Sequence, residues 1–378
     1  MVKTKENSLL SECRSCKSTN IKVKLKKDRF PLYIWPLEKT ESTPLKNIYV
    51  YICEDCGHIQ LQEMTKKNLS EIYRDVAYNI ENKSEKISRL ELVNKSKPNR
   101  FKEKKILEIG GGRNSFLKIL PKSCKKWVVD FKVDKEIKDL SDGFYEGNFD
   151  EIKITQSNFD YVCMFHVLEH LNKPASVLSK IKKILNENGK ILIEVPNFEW
   201  ESKHRPDYTF FHMHISLFTS KSLVNLLEKN GFKCEKFYKK DEVLLAEFSF
   251  SKKIKFKNNY DNSLKYLNIA NESIKKCELK LRKIFKKINK GNTAIFGGGG
   301  SSTLFLQNFP FLLDRIKFAI DNDINKIGKY ICDQKIEIVG SKKLKEKKIK
   351  NLIILNNDHS KLFSKNEINL IKVTEFYE

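Results

Sequence analysis

Long apolar runs and an apolar N-terminal segment are both absent from this sequence of 378 residues. No stretch approaches the roughly 20 apolar residues that a membrane-spanning helix needs, so no membrane association is predicted. The N-terminal segment MVKTKENSLLSEC lacks the apolar core of a secretory signal. Without such a signal, the nine cysteines indicate metal binding and free thiols rather than disulfides. We therefore expect a cytoplasmic protein.

Arginine is also scarce, because only nine of the 72 basic residues are arginine and the other 63 are lysine. Lysine is a hydrated point charge, whereas phosphate and base recognition favour the planar fork of arginine. The lysines are spread along the chain, so the formal charge of +24 does not favour a nucleic acid partner, although a bound polyanion remains an alternative. An anionic small substrate, such as a nucleotide diphosphate, would gain from the same field.

The segment ILEIGGGRNSF reads as a buried strand that runs into three glycines and then a helix. Gly110, Gly111 and Gly112 let the backbone pass close to a ligand where a Cβ would clash. Glu108 stands two positions before the first glycine, and Asp130 ends the next apolar strand. Glu108 is placed to orient the amino acid end of S-adenosylmethionine, and Asp130 to accept its ribose hydroxyls.

The segment SNFDYVCMFHVLEHL supplies a later core strand at 159–165, and a helix is expected to begin near Pro174. His166 follows this strand at its carboxyl end, where open α/β sheets bind their ligands. Asn148 and Phe149 precede the strand and could hold an adenine ring by an amide hydrogen bond and a ring contact. The pattern predicts an S-adenosylmethionine site, and a doubly wound domain for another nucleotide is the alternative.

Two Cys-x-x-Cys pairs, Cys13 with Cys16 and Cys53 with Cys56, are separated by 36 residues. Four thiolates complete a closed tetrahedral site, which predicts one structural zinc ion without an open position for water. Two unrelated thiol pairs, or a redox pair, are the alternative. His58 follows the second pair, and we expect it to face outward rather than to replace a ligand.

Histidines are concentrated in the segment HRPDYTFFHMHISLFTSKSL at 204–223. Histidine titrates near neutral pH and therefore suits the removal of a proton from an acceptor. His212 and His214 would share one face of an extended piece, and His214 is the expected base; alternatively, both only hydrogen-bond loop backbone. We expect His170 to hydrogen-bond backbone as well, since a metal site at His166 and His170 lacks a third ligand in the sequence.

The order of elements predicts an α/β fold, with a Rossmann-like class I methyltransferase core, an N-terminal zinc-binding domain and a small C-terminal α/β domain. Thr219 or Ser220 is expected to cap a helix, and a long helix is expected from about Asp261 to Lys287. The predicted domains are a zinc-binding domain at 1–82, an S-adenosylmethionine methyltransferase domain at 83–245, a linker and helix at 246–290, and a Rossmann-like domain at 291–378 with strands near 293–297, 317–321 and 350–355.

The segments CRSC, CEDCGHIQL, ILEIGGG and AIFGGGGSSTLFL…FAIDNDINKIGKY resemble the three-domain sugar C-methyltransferases of deoxysugar biosynthesis, over essentially the whole chain. The resemblance implies a zinc domain, an S-adenosylmethionine domain and a C-terminal domain that helps to hold the nucleotide of the substrate. It also implies deprotonation and methylation at carbon 3 of a nucleotide-linked 4-keto-6-deoxysugar. The tail positions that match the family pattern are Gly297 to Gly300, Asp321, Asn322, Lys326 and Gly328.

This chain departs from the family on the acceptor side. The base region of the family reads Tyr-His-Glu-His, whereas residues 211–214 read Phe-His-Met-His. Both histidines match, so the resemblance implies His214 as the base with His212 beside it. An upstream Tyr-x-x-Tyr-x-Tyr keeps Tyr78 as a catalytic candidate but has Val76 in place of its middle tyrosine.

The sequence thus predicts an S-adenosylmethionine-dependent methyltransferase that acts on a small nucleotide-linked sugar, as a monomer or homodimer. Methylation of oxygen or nitrogen, on a related sugar or another small molecule, is the alternative, since a heteroatom acceptor needs a base but no enolate stabilisation. A non-catalytic binding protein and an RNA methyltransferase are further alternatives. Against the latter, the chain lacks a compact stripe of arginines and aromatics.

Overall fold

The computed structural model divides the chain into two compact units. The first unit comprises Met1–Lys24, Val50–Asn197 and Met213–Ser263, and the second comprises Leu25–Tyr49, Phe198–His212 and Leu264–Glu378. Tyr78 lies outside the described residues. The structure describes residues 10–62, 65, 89, 91, 93–95, 99–112, 115–238, 240–252, 256–333, 335–363 and 368–377.

Strands and helices alternate along most of the chain. The strands are β1 (Ile21–Pro31), β2 (Leu45–Cys53), β3 (Ile59–Leu61), β4 (Lys105–Ile109), β5 (Lys125–Asp130), β6 (Gly143–Glu146), β7 (Phe159–Phe165), β8 (Leu185–Pro196), β9 (Ser216–Leu217), β10 (Phe232–Tyr238), β11 (Val243–Phe250), β12 (Thr293–Phe296), β13 (Ile316–Ile320), β14 (Tyr330–Ile331), β15 (Ile336–Val339), β16 (Asn351–Ile354) and β17 (Asn369–Lys372). The α-helices whose whole length the structure describes are α1 (Lys135–Leu140), α2 (Pro174–Ile184), α3 (Phe198–His204), α4 (Ser220–Lys229), α5 (Tyr260–Lys287), α6 (Gly300–Asn308) and α7 (Lys343–Glu346).

A seven-stranded sheet forms the core of the first unit, in the order β10-β11-β8-β7-β4-β5-β6. Strands β8, β7, β4, β5 and β6 run parallel, and β11 is antiparallel to both of its neighbours. The central strands are buried on both faces, so their sequences read as nearly continuous apolar runs. The chain adds β5 and β6 on one side of β4 and then β7 and β8 on the other. This reversal opens a crevice at the carboxyl ends of β4 and β7, where such sheets bind ligands.

Two helices of this unit begin where the sequence signals a start. Helix α2 has Pro174 in its first turn, where the missing N–H has no intrahelical partner in any case. Helix α4 follows Thr219, whose side chain accepts a hydrogen bond from the Ser222 backbone N–H at 3.1 Å, while the Ser222 hydroxyl accepts one from the Thr219 N–H. The predicted cap at Thr219 is confirmed, and both helices bury an apolar face against the sheet.

The element after the glycine loop differs from the prediction. Instead of an α-helix, residues Phe116–Ile119 form a single 3-10 turn, in which Phe116 and Leu117 are buried. Pro121 follows directly after the residue that ends this turn. Proline lacks a backbone N–H and biases its predecessor away from helical angles, so the turn cannot continue. The expected helix is therefore wrong at this point.

Two further sheets complete the described strands. A four-stranded sheet has the order β1-β2-β3-β9. In the second unit, a six-stranded sheet has the order β14-β15-β13-β12-β16-β17, which is parallel except for β14. The strands predicted near 293–297, 317–321 and 350–355 and the long helix, now α5, are confirmed. Within the described ranges, no helix is both long and apolar enough to cross a membrane.

Candidate functional site

The glycine loop after β4 is packed too closely for side chains. Gly110 has φ +79°, and a Cβ built on it would lie 2.3 Å from Cγ2 of Val167. A Cβ on Gly111 would lie 2.7 Å from Cγ2 of Val128. Because Val167 follows β7 and Val128 belongs to β5, the loop passes directly over the ends of both neighbouring strands. Packing within the protein therefore requires these glycines, and their predicted close approach to a ligand remains a prediction.

Glu108 lies beneath this loop and binds its backbone. The carboxylate accepts hydrogen bonds from Oγ of Ser115 at 2.5 Å and from the N–H of Phe116 at 3.0 Å. Burial raises the pKa of Glu108, although these hydrogen bonds oppose the shift. Only 3% of the residue is exposed. Glu108 therefore braces the turn that follows the glycines, and its predicted contact with the amino acid end of a cofactor remains a prediction.

Asp130 ends β5 beside the loop. Its carboxylate accepts backbone hydrogen bonds from Phe131, Gly112 and Lys132, while burial raises its pKa to about 6. A Cβ on Gly112, which has φ +33°, would lie 2.9 Å from Oδ2 of Asp130. The loop therefore packs directly against the Asp130 carboxylate. The ribose contact predicted for Asp130 remains a prediction.

The two residues predicted to hold adenine lie beyond β6. Oδ1 of Asn148 accepts a hydrogen bond from the Asp150 N–H at 3.1 Å, which leaves its amide NH₂ group as a donor. Phe149 is 6% exposed and packs in the core of the first unit, with Nζ of Lys180 4.8 Å from its ring centroid. Their roles toward adenine remain predictions.

His166 ends β7 with a strained backbone and two carboxylate neighbours. Its φ of +55° is rare for a residue other than glycine. Nδ1 lies 3.4 Å from Oε1 of Glu169, and Nε2 lies 3.3 Å from Oε1 of Glu194. Arg89 Nε donates a hydrogen bond to the same Glu194 oxygen at 3.1 Å. Burial acts to raise the pKa of Glu194, but His166 and Arg89 outweigh it and hold that pKa well below its usual range.

Glu169 lies among three imidazoles, His166, His170 and His214. It is 1% exposed, and neither carboxylate oxygen accepts a hydrogen bond from a residue that the structure describes. Nε2 of His170 lies 3.7 Å from Oε1 of Glu169, and the rings of His170 and His214 meet edge to face with centroids 4.9 Å apart. Burial acts to raise the pKa of Glu169, but the three imidazoles lower it below its usual range. Glu169 is therefore a buried anion.

The predicted base, His214, belongs to this cluster. Burial and the neighbouring His170 lower the pKa of His214 to about 3, so its imidazole is neutral at working pH. His170 donates from Nδ1 to the backbone carbonyl of Met213 at 2.7 Å, because a carbonyl can only accept. The backbone hydrogen bond predicted for His170 is thereby confirmed. Val167, which follows His166 in the chain, packs against Gly110 of the glycine loop.

His212 does not accompany His214. Residues 212–213 form a turn rather than an extended piece, and the two histidines fall in different units. Nε2 of His212 lies 3.3 Å from the carbonyl oxygen of Phe30, and burial lowers its pKa to about 4. The proposed catalytic role of His212 has no contact in the structure that supports it.

Four cysteines form a buried cluster in the first unit. The Sγ atoms of Cys13 and Cys56 are 3.6 Å apart, those of Cys16 and Cys53 are 3.5 Å apart, and all four lie within 4.8 Å of one another. Sulfur atoms at the corners of a tetrahedral zinc site are about 3.8 Å apart, given zinc–sulfur bonds of about 2.3 Å. The four thiols therefore fit such an ion.

The two cysteine pairs have the same backbone geometry. After each pair comes a residue with positive φ, Lys17 at +65° and Gly57 at +74°. Its N–H donates to the carbonyl of the first cysteine of the pair, at 2.9 Å to Cys13 and at 2.8 Å to Cys53. Two unrelated thiol pairs would have no reason to share this turn, so the repeated turn supports a common ion.

His58 differs from the expectation that it faces outward. It is fully buried, its Nε2 lies 3.2 Å from Oγ of Ser216, and its ring packs 5.4 Å from that of Phe218. Burial lowers the pKa of His58 to about 3, so the ring is neutral. The prediction was wrong because β3, which begins directly after His58, pairs with β9, and residues of that segment cover the His58 ring.

A cavity of about 320 Å³ lies in the second unit. Lys203, His204, Lys276 and Tyr377 are among its lining residues. None of the site residues predicted from the sequence lines it.

Comparison with known proteins finds one matching family model. Residues 77–236 match a family described as "Methyltransferase domain". The chain carries a methyltransferase domain. The predicted fold class and the predicted enzyme class, an S-adenosylmethionine-dependent methyltransferase, are thereby confirmed. No curated protein matches the chain.

Several solved structures are similar to part of the chain. A protein of Pyrococcus horikoshii OT3 is 16% identical, with 50% of this chain and 100% of that chain covered and a TM-score of 0.40. The 1,6-didemethyltoxoflavin-N1-methyltransferase of Burkholderia thailandensis is 14% identical, with 52% and 97% covered and a TM-score of 0.38. An S-adenosylmethionine-dependent methyltransferase of Aquifex aeolicus is 14% identical, with 43% and 92% covered and a TM-score of 0.33.

Sequence reasoning missed the two acidic residues of the histidine cluster. Glu194 interrupts the apolar run ILIEV, and a charge within a buried strand is rarely left unpaired. That interruption was the available signal. Glu169 carried no signal, because it becomes the centre of the cluster only when His214, 45 positions later, packs beside it.

We expect Gly112→Ala to weaken S-adenosylmethionine binding about 10-fold or more, because overpacking of this size costs about 1–3 kcal/mol. The new methyl group must displace the Asp130 carboxylate. Calorimetric titration measures the change. Gly299→Ala is the matched control, since no atom lies within 4 Å of the position that a Cβ would take there. Equal affinities of the two variants would remove the loop from the cofactor site.

The affinity for S-adenosylmethionine should fall as pH is lowered through 6. A carboxylate with a pKa of about 6 is about nine-tenths ionised at pH 7 and one-tenth ionised at pH 5, so the dissociation constant should rise roughly tenfold. Asp130→Asn should bind weakly and lose this dependence between pH 5 and 7. A pH profile that the substitution leaves unchanged would assign the titration to another group.

Proposed function

We propose that the protein transfers the methyl group of S-adenosylmethionine to a small sugar linked to a nucleotide. The methyltransferase domain, the glycine loop and Asp130 support the donor half of this proposal. The acceptor half is supported by the second unit, which has its own parallel sheet and its own glycine loop.

The observation that carries the acceptor proposal is the contact between that loop and the next strand. The N–H of Gly298 donates to Oδ2 of Asp321 at 2.9 Å, and Nζ of Lys326 lies 3.0 Å from the same oxygen. Gly297 has φ +99°, and the space beside Gly299 is open. A bare turn at a helix N-terminus, with an acidic strand end beside it, is the arrangement that nucleotide-binding sheets use. The net charge of +24 favours an anionic substrate of this kind.

His214 acts on the proton of the acceptor. It belongs to the same unit as the glycine loop, and its cluster is linked to that loop through the contact of Val167 with Gly110. Its neutral imidazole has a lone pair that can take a proton, but a pKa lowered to about 3 makes it a weak base in this structure. Tyr78 remains a candidate from the family resemblance.

Carbon methylation, as in the family that the sequence resembles, is the first form of this function. Methylation of oxygen or nitrogen is the second, and the composition of the base region favours it. Phe211 and Met213, which replace a tyrosine and a glutamate of the family pattern, are 3% and 5% exposed. Neither can stabilise the enolate that carbon methylation forms, whereas a heteroatom acceptor needs only the loss of its proton.

The four-cysteine cluster holds one zinc ion with a structural role. Cys13, Cys16, Cys53 and Cys56 would fill all four positions, which leaves none for water or substrate. The ion would supply folding free energy to the segment that carries the cysteines.

We expect a thiol-modifying mercurial to release one zinc ion per chain from the wild type, measured with a chromogenic chelator. Cys56→Ser should release none and should melt at a lower temperature, because a structural ion contributes directly to folding. Cys234→Ser, at a single half-buried thiol, is the control and should behave as wild type. A Cys56→Ser protein with unchanged melting but no activity would give the ion a part in turnover.

The acceptor is tested with S-adenosylmethionine and a panel of nucleotide sugars, with and without a 4-keto group. Mass and proton spectra should show one added methyl group and its position. His214→Ala should retain cofactor affinity and lose about 100-fold or more in turnover, the range for a positioned proton-transfer group. His359→Ala, at an exposed histidine, is the control. Transfer to none of the sugars would end the sugar proposal, and a fully active His214→Ala would end the role of that residue.

A further inference from the structure

The unexplained feature of the first unit is the arrangement of ligand atoms around Glu169. One carboxylate oxygen of Glu169 and one ring nitrogen each of His170 and His214 lie within 4.8 Å of one another. Adjacent ligands of one ion with bonds of about 2.1 Å lie about 3 to 3.5 Å apart, so small side-chain rotations would bring the three atoms onto one centre. From the sequence, a metal site at His166 and His170 had no third ligand. In the folded protein, Glu169 and His214 lie beside His170 instead.

The tautomer of His170 gives the first argument for an ion. Its Nδ1 donates to the Met213 carbonyl, so the neutral ring has its lone pair on Nε2. That nitrogen lies 3.7 Å from Oε1 of Glu169, which is too far for a hydrogen bond. Metal-binding histidines commonly donate their other N–H to a carbonyl in this manner, which fixes the ring.

Glu169 gives the second, independent argument. The residue is only 1% exposed, and within the described part of the chain neither oxygen accepts a hydrogen bond. An ionised carboxylate in this position costs several kcal/mol unless a cation or donor compensates it. Nδ1 of His166 lies 3.4 Å from Oε1 of Glu169, and the other nitrogen of that ring lies 3.3 Å from Glu194.

We propose that Glu169, His170 and His214 bind a divalent first-row transition metal ion. Two imidazoles and one carboxylate form the ligand set that holds such ions with positions left open for other ligands. Every ligand belongs to the first unit, and this site shares no residue with the four-cysteine cluster.

The role of this ion rests on the proposed methyl transfer. An ion with open positions binds an acceptor hydroxyl and lowers its pKa as a Lewis acid. The hydroxyl proton leaves to water, the oxyanion forms a bond to the sulfonium methyl carbon, and the electron pair of the broken carbon–sulfur bond stays on sulfur. With the ion bound, His214 is a ligand and no longer takes the proton directly, because its lone pair is bound to the ion; this form of the reaction suits a heteroatom acceptor.

The test is uptake of Co²⁺ by full-length protein that has been dialysed to one zinc ion per chain. The wild type should bind one further Co²⁺, with the weak visible spectrum of nitrogen and oxygen ligands and without the intense sulfur charge-transfer band. Glu169→Gln and His214→Ala should each weaken this uptake about 10-fold or more, and His359→Ala should not. Circular dichroism and melting of each variant confirm its fold, and Glu169→Gln preserves the side-chain shape.

Three results would overturn the proposal: no uptake by the wild type, uptake that both variants retain, or a spectrum dominated by thiolate ligands. Because binding is measured without substrate, it separates the two proposals. If the ion binds as described but the protein methylates no sugar, the metal-site proposal stands and the sugar proposal fails. If methyl transfer runs at full rate without an ion in this site, the sugar proposal stands and the proposal for the ion fails.

Discussion

The site of the first unit depends on a close approach between the backbone after β4 and the ends of its two neighbouring strands. Gly110 leaves no room for a side chain against Val167, and Gly112 leaves none against Asp130. One short turn therefore fixes the position of a carboxylate on one side and of the His166–His170 segment on the other. The order of the parallel strands reverses at this turn, which is where open α/β sheets bind their ligands.

Buried charge is concentrated at the same edge of the sheet. Glu194 is compensated by Arg89 and His166, which leaves Glu169 as the anion with no hydrogen bond of its own among the described residues. A fold that only needed stability would favour an apolar side chain here, since a buried ion is costly to keep. The retention of this anion among three imidazoles is best explained by a cation that shares the cluster during function.

The sequence predicted correctly those features that depend on a short stretch of chain. The run ILEIGGG and the strand ending at Asp130 lie where they were predicted, since apolar strands and bare turns carry their own signals. The cap at Thr219 and the four-cysteine cluster follow from short motifs in the same way. The histidine cluster could not be predicted, because His170 and His214 meet only through the packing of a turn against a 3-10 segment. His58 was misjudged for the same reason, since its burial depends on the distant strand β9.

The central claim is that the sulfonium nucleoside binds at the turn after β4 and not at the second glycine loop. Hydrogen–deuterium exchange of the full chain, with and without S-adenosylmethionine, tests this directly. The account predicts slower exchange of the amides at 108–117, 128–133 and 164–170, with no change at 297–303. Protection confined to 297–303, or no protection at saturating ligand, would contradict it.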